Sequence, residues 1–156
     1  MAEFTNNAIQ LVQPNQAIVF NSSSWQWPFL FNQSIFHQGE SGIITLRGLV
    51  NNPYKNLALY QVTFNGNIAL PTGATVGPIA VAIARNGEPL QTSRAIVTPA
   101  AVEQYFNVTS TAFIVVPRGC NFDISVENVS VSATPATTPA PPINVQNANL
   151  VVARVA

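Results

Sequence analysis

The residues able to carry chemistry are few, and they lie far apart along the chain. There is one cysteine, Cys120, and one histidine, His37. A cysteine nucleophile needs a nearby base, and a transition-metal site needs several histidine, cysteine or carboxylate ligands. Neither requirement is met in the sequence. We therefore predict a non-enzymatic protein with no catalytic residue, no cofactor and no metal site.

The isolated residues have ordinary structural interpretations. We expect Cys120 to be a small buried apolar side chain and His37 to be a hydrogen-bonded structural histidine. Asp123 and Glu127 fall on the outward face of one alternating segment, where solvated carboxylates are expected. The remaining candidate acids are scattered, and they are Glu40, Glu88 and Glu103.

The elements that position these residues are strands. Residues 79–84 alternate between large and small apolar side chains, which predicts a strand. Asn86-Gly87 follows, and this pair predicts a type I′ hairpin turn because both central residues need a positive φ. The chain then returns from Leu90 to Val97. Turn residues separate about eight to ten such segments, and none has a convincing helical period.

Three further segments are long predicted strands. Residues 57–70 alternate throughout, and Gly66 within them marks a hairpin turn, a bulge or a close backbone approach. In residues 101–116, Phe113 and Val115 have the opposite parity to Phe106, so this strand either bends or is buried on both faces. Residues 143–155 form an apolar terminal strand that must pair inside a sheet. Two antiparallel sheets packed face to face, as a β-sandwich, fit this pattern.

Composition narrows the functional class. Only 8 % of the residues are charged, and six basic residues balance six acidic ones. This argues against nucleic-acid binding, which needs a basic stripe, and against a polybasic membrane patch. No apolar run is long enough for a membrane span, and no secretory signal opens the chain. A chain with so little charge is poorly protected against association. We therefore expect that much of its surface is either covered in an oligomer or made of Asn, Gln, Ser and Thr side chains.

We divide the chain into an N-terminal arm, residues 1–14, and one domain, residues 15–156. The arm is either frayed or an anchor for a partner. Residues 130–142 are rich in proline and form an exposed loop. The segment 22–31 either covers one end of the sandwich or contacts a partner. Its partner-docking candidates are Trp25, Trp27, Phe29 and Phe31.

A family resemblance rests on several segments taken together. They are QAIVFN, SIFHQGESGIITLRG, ALYQVTFNGNIALPTG, AIARNGEPL, FNVTSTAFIVVPRGCNFDISVEN and NANLVVARV. In this order they resemble the jelly roll of the TNF/C1q-like family over roughly residues 15–156. They are most similar to its bacterial and phage members, such as the C-terminal domain of collagen-like spore-surface glycoproteins and phage head-fibre or decoration proteins.

The resemblance implies an all-β antiparallel jelly roll that forms a homotrimer around a hydrophobic, often aromatic axis. The candidates for core and trimer-interface positions are Tyr60, Phe64, Tyr105, Phe106 and Phe113. The spore-surface members carry a Gly-X-Y stalk, whereas this chain has only a short segment before the domain.

These expectations lead to a structural role. The chain would be a trimeric capsid-decoration or head-fibre protein of a phage or phage-like particle, with a capsid protein as partner. It would be assembled in the bacterial cytoplasm and displayed on the virion surface. The alternative is a carbohydrate-binding or receptor-binding adhesion module, or a spore or cell-surface protein, with Trp25 or Trp27 stacking on a host-surface glycan.

Overall fold

Two antiparallel sheets make up the protein. The computed structural model describes residues 1–25, 34–132 and 138–156. In these ranges the strands are β1 (Ala2–Asn6), β2 (Gln10–Val12), β3 (Ser22–Trp25), β4 (Ile35–His37), β5 (Ile44–Arg47), β6 (Leu57–Ala69), β7 (Ile79–Arg85), β8 (Glu88–Pro89), β9 (Ala95–Val97), β10 (Phe106–Pro117), β11 (Asn121–Asn128) and β12 (Ile143–Arg154). A 3₁₀ helix, Gln91–Ser93, separates β8 from β9.

The strand order is that of a sandwich of two sheets. Sheet A has the order β10-β6-β12-β1-β3, and β2 also pairs with β12. Sheet B has the order β4-β5-β11-β7-β8, and β9 also pairs with β7. The predicted all-β antiparallel jelly-roll sandwich is confirmed.

The core lies between the inward faces of the two sheets. Tyr60, Phe64 and Ile68 of β6 are fully buried there, as are Ile79 and Ile83 of β7. Because successive side chains of a strand point to opposite faces, β6 sends its even-numbered residues into the core and its odd-numbered residues outward. The alternation that predicted these strands therefore also identifies the face that each residue occupies.

The first residues of the chain belong to sheet A, although the sequence predicts an arm over residues 1–14. β1 pairs with β12 on one side and β3 on the other. Phe4 of β1 is fully buried and packs against the ring of His37 at a centroid distance of 5.1 Å. Its neighbours in β1 are short or polar, so the alternation that places Phe4 in the core is weak in the sequence.

The hairpin at Asn86-Gly87 is confirmed. Asn86 has a φ of 52° and Gly87 a φ of 79°, as a type I′ turn requires. The returning segment is less regular than predicted, because the 3₁₀ helix interrupts it. Ser93 in this helix replaces the missing ladder contacts, since its Oγ bonds with both the N–H and the C=O of Ile83.

Two irregularities in the long strands have different outcomes. Gly66 forms no turn, and it pairs in register with Val108 of β10. On its other side the register with β12 shifts between Gln146 and Asn149, so an irregularity of the predicted kind lies opposite Gly66, in β12. A Cβ at Gly66 would lie 2.8 Å from Cζ of Phe64, so the expected close approach involves that ring. β10 neither buries both faces nor breaks its alternation, because Phe113 and Val115 simply point outward.

The Pro-rich loop is described only at its two ends, because residues 133–137 fall outside the described ranges. Ser130 is buried at the start of the loop, and its Oγ accepts a hydrogen bond from the N–H of Ala80 at 2.9 Å.

Candidate interaction surface

The residues that could act as nucleophiles, bases or metal ligands remain apart from one another in the fold. His37 is a structural histidine as expected, because its Nε2 lies 2.8 Å from the carbonyl oxygen of Ser41. Cys120 is exposed, so its predicted burial is wrong. Its parity points inward, but it lies in the turn before β11, beyond the end of the packed sheets. Asp123 is exposed and accepts a hydrogen bond from Oγ1 of Thr45 at 2.6 Å.

Glu127 is the exception among the predicted solvated carboxylates. It is buried, with 9 % of its surface exposed, because Ala17 pairs with it from a distant part of the chain. Burial raises the pKa of the Glu127 carboxyl, and the hydrogen bond from Oγ of Ser125 opposes this shift. The carboxyl is therefore held in a poorly solvated position on the outer side of β11.

No metal site accompanies these groups in the described part of the chain. There, no three histidine, cysteine or acidic side chains come together in a way that could hold a metal ion. The same ranges contain no helix long and apolar enough to cross a membrane.

The aromatic candidates divide between the core and the surface. Tyr60 and Phe64 are fully buried within one chain. The hydroxyl of Tyr60 donates to the carbonyl oxygen of Arg47 at 2.5 Å, which connects the two sheets, and burial raises its pKa. Tyr105 and Phe106 are half-buried at the start of β10. Only Phe113 is largely exposed, at 62 %.

Phe113 lies in an apolar region of the outer face of sheet A, at the end where β10 finishes and β6 begins. Phe113 stands opposite Gln61, and Val115 stands opposite Leu59. Val155 lies on the other side of Leu59 from Val115, because the N–H of Val155 donates to the carbonyl oxygen of Leu59. We call Leu57, Leu59, Phe113, Val115 and Val155 the apolar end. Leu57, Val115 and Val155 are each between 43 and 53 % exposed.

The other half of the same face is an array of amides and hydroxyls. Nδ2 of Asn107 donates to Oδ1 of Asn65 at 2.9 Å and to Oδ1 of Asn67 at 3.1 Å. Nδ2 of Asn65 donates to Oγ1 of Thr109 at 3.2 Å. We call these four residues the amide ladder. Cross-strand pairs of this kind hold the side chains in place, so the polar half of the face is ordered before any partner arrives.

The outer face of sheet A carries no charge on its three long strands. Outward positions of β6, β10 and β12 are all uncharged, and they are Leu57, Leu59, Gln61, Thr63, Asn65, Asn67, Ala69, Asn107, Thr109, Thr111, Phe113, Val115, Pro117, Asn144, Gln146, Asn149, Val151 and Ala153. Charged side chains are depleted from the centres of protein interfaces. Glu3 of β1 lies beside this region, and its carboxylate accepts a hydrogen bond from Nδ2 of Asn149, so the uncharged area is limited to the three long strands. That area, with an exposed phenylalanine, has the composition of an interface.

The sequence places Phe113 among the core and trimer-interface candidates and predicts a bend or burial on both faces there, whereas Phe113 points outward on a regular strand. The signal in the sequence is parity: Phe113 alternates in step with the polar residues Asn107, Thr109 and Thr111, and not with Phe106. This pattern places a hydrophobic side chain on the outward, polar face of the strand. The partner-docking candidates Trp27, Phe29 and Phe31 lie outside the described residues, and only the backbone of Trp25 is described, at the end of β3.

Comparison with known proteins supports the fold. No protein-family model and no curated protein matches the sequence. The globular domain of the zebrafish complement 1qA protein matches with a TM-score of 0.52 and 14 % identity, over 96 % of this chain and 94 % of that chain. At this identity the match establishes a C1q-like jelly roll and nothing further.

Two other solved structures are more distant. The C-terminal domain of EclA, a sugar-binding protein, has a TM-score of 0.36 and 14 % identity, over 83 % of this chain and 89 % of that one. The CBM22-1 xylan-binding domain of Paenibacillus barcinonensis Xyn10C has a TM-score of 0.35 and 8 % identity, over 99 % and 87 %.

Proposed function

We propose that this chain is a structural module that forms a homotrimer through the outer face of sheet A and decorates the outside of a phage or phage-like particle. The observation that carries the proposal is the uncharged outer face of β6, β10 and β12, with Phe113 exposed in its apolar end.

Burial of the apolar end provides the driving force for association. Covering a large apolar side chain stabilises an assembly by roughly 1.5–3 kcal/mol when it becomes fully buried. Phe113, Leu57 and Val115 are exposed enough to contribute part of that range in each copy. No charge on these strands has to be desolvated against them.

The amide ladder makes the rest of the face compatible with burial. Asn107 and Asn65 already satisfy part of their hydrogen-bonding capacity within the sheet. Their side chains are therefore partly ordered before association, which reduces the entropy lost on binding. The number of copies, three, comes from the family resemblance of the sequence.

The second part of the proposal is that the trimer lies on the outside of a phage or phage-like particle. Three observations support it. In the described ranges the potential nucleophiles, bases and metal ligands lie apart from one another, the chain has a low content of charged residues, and the sequence resembles the phage members of the TNF/C1q-like family. Assembly would take place in the bacterial cytoplasm, with display on the virion surface and a capsid protein as the partner.

Sedimentation of particles tests this position. In a density gradient of particles released from producing cells, an antibody to this chain should detect it in the particle fractions and label intact particles in electron micrographs. Detection only at the top of the gradient, while the particles sediment, would contradict the proposal.

A second function is favoured by the amide ladder itself. Ordered amides and hydroxyls on an open sheet face can donate to and accept from the hydroxyl groups of a glycan. An adhesion module of this kind would bind a glycan array as a monomer, and Asn107→Ala with Thr109→Ala would abolish the signal. If the trimer bound the glycan while Asn107 and Thr109 were covered in its interface, the glycan site could not lie on the amide ladder.

A further inference from the structure

Basic residues gather at one end of the sandwich, although the chain is neutral as a whole. Five of the six basic residues come from strand ends and turns of this end, and they are Arg47, Lys55, Arg85, Arg118 and Arg154. We call these five residues the basic end. The sixth, Arg94, is bound elsewhere, with Nη2 donating to the carbonyl oxygen of Val129 at 3.1 Å.

Backbone contacts bring the turns of the basic end together. The N–H of Arg118 donates to the carbonyl oxygen of Asn56, next to Lys55, and the N–H of Gly119 donates to that of Gly48. Arg47 is paired with Asn121, which lies three residues after Arg118. The residues are thus neighbours through the fold and not through the sequence.

The remaining strands end at the same place. Arg85 closes β7 opposite Ile124 of β11. Arg154 closes β12 opposite Tyr60 of β6. Their carboxylate neighbours at this end are Glu88, opposite Arg85, and Asp123, opposite Thr45.

The acids are distributed differently. Five basic and two acidic side chains give the basic end a net side-chain charge of +3. One of the five, Arg154, donates from Nε to the oxygen of Ala156 at 3.3 Å. Glu40, Glu103 and Glu127 lie towards the opposite end, and Glu3 lies at mid-length of sheet A, opposite Val151. The protein therefore has one positively charged end, although its total numbers of acidic and basic residues are equal.

Two of the guanidinium groups lie over aromatic rings. Cζ of Arg85 lies 5.3 Å from the ring centroid of Phe122, and Cζ of Arg47 lies 5.9 Å from that of Phe36. A ring under a guanidinium limits its motion and leaves N–H donors free for a carboxylate. Lys55 and Arg118 are exposed, and Tyr54 beside Lys55 is 93 % exposed.

We propose that the basic end docks onto an acidic protein surface. Four of its five cations are arginines, and they stand beside an exposed tyrosine and the exposed side chain of Leu49. Arginine and aromatic residues are enriched in protein interfaces, whereas lysine is depleted. The positive charge matches carboxylates, and complementary charge steers the partners together.

This inference deepens the proposed function and rests on it for the number of copies. In a cyclic trimer every chain presents the same end on the same side. The five cations are then repeated three times on one face, and the linked sites bind with an avidity that exceeds that of one chain. The partner would be a capsid surface rich in aspartate and glutamate.

Immobilised poly-L-glutamate is the probe that tests the docking surface. The wild-type protein should bind it at low ionic strength, with affinity falling as salt is added. Lys55→Gln with Arg118→Gln should weaken binding by at least about tenfold. The matched control is Asn7→Asp with Thr75→Glu, which changes the net charge equally at the opposite end and should alter the affinity less than about twofold.

Three outcomes would overturn the docking surface: no binding to poly-L-glutamate, equal weakening by both double variants, or tighter binding to alginate or double-stranded DNA. Light scattering on the same samples separates this inference from the proposed function. A trimer that fails to bind overturns only the docking surface, whereas a monomer that binds overturns only the trimer.

Discussion

Gly66 lies beneath the ring of Phe64, two residues earlier in the same strand. A Cβ placed on Gly66 would come within 2.8 Å of Cζ of that ring, closer than packed carbon atoms approach. Because Phe64 is fully buried between the sheets, its ring has little room to move. The glycine therefore sets the depth at which β6 packs in sheet A.

Substitution of this glycine tests the packing directly. Gly66→Ala should lower the free energy of unfolding by roughly 1–3 kcal/mol, since the added methyl group overpacks the core. Chemical denaturation measures the change. Gly77→Ala is the control, because nothing lies within 4 Å of a Cβ there. Equal stability of both variants would show that the Phe64 ring adapts freely.

The role of the N-terminal segment in the fold has its own test. Phe4→Ala removes a fully buried ring from β1 and should cost about 3–5 kcal/mol of stability. Ile9→Ala, in the same segment but 57 % exposed, should change the stability by less than about 0.5 kcal/mol. If Phe4→Ala also left the thermal midpoint unchanged, the segment would behave as the arm that the sequence predicted.

Glu127 should make stability depend on pH. Burial raises the pKa of its carboxyl in the folded state, so the folded protein binds the proton more tightly than the unfolded chain. This contribution is fully present below the unfolded pKa and is lost as pH rises through the folded pKa. Glu127→Gln keeps an acceptor for the Ser125 hydroxyl and removes the charge.

The variant Glu127→Gln should therefore be more stable than wild type at neutral pH, and this advantage should shrink as the pH falls towards 4. Thermal melts over this range measure the difference. Glu40→Gln, which removes a carboxylate at an exposed position, is the control for the loss of one charge. A constant difference between Glu127→Gln and wild type at every pH would contradict the assignment.

Local patterns in the sequence predicted the local parts of the fold. The Asn86-Gly87 turn depends only on the two residues that form it, because asparagine tolerates a positive φ and glycine has no Cβ to oppose one. The outward position of Phe113 is likewise present in the alternation of β10. Its interpretation required knowing that β10 is an edge strand with an open outer face.

Contacts between distant segments could not be predicted in the same way. Glu127 is buried because Ala17 pairs with it, and nothing in either segment specifies the other. Cys120 was misassigned for a related reason, since its alternation continues past the point where the opposing sheet ends. The basic end is invisible in the sequence, because Arg47 and Arg118 become neighbours only when their turns pack together.

The mass of the protein in solution tests the central claim most directly. Size-exclusion chromatography with light scattering at micromolar concentration should give three times the mass of one chain. Phe113→Thr should shift the protein towards the monomer without lowering its thermal midpoint as a monomer, since the ring is 62 % exposed. Phe36→Thr, which removes a ring 49 % exposed on sheet B, should leave the trimer intact. A wild-type monomer, or a trimer that survives Phe113→Thr and dissociates with Phe36→Thr, would contradict association through the outer face of sheet A.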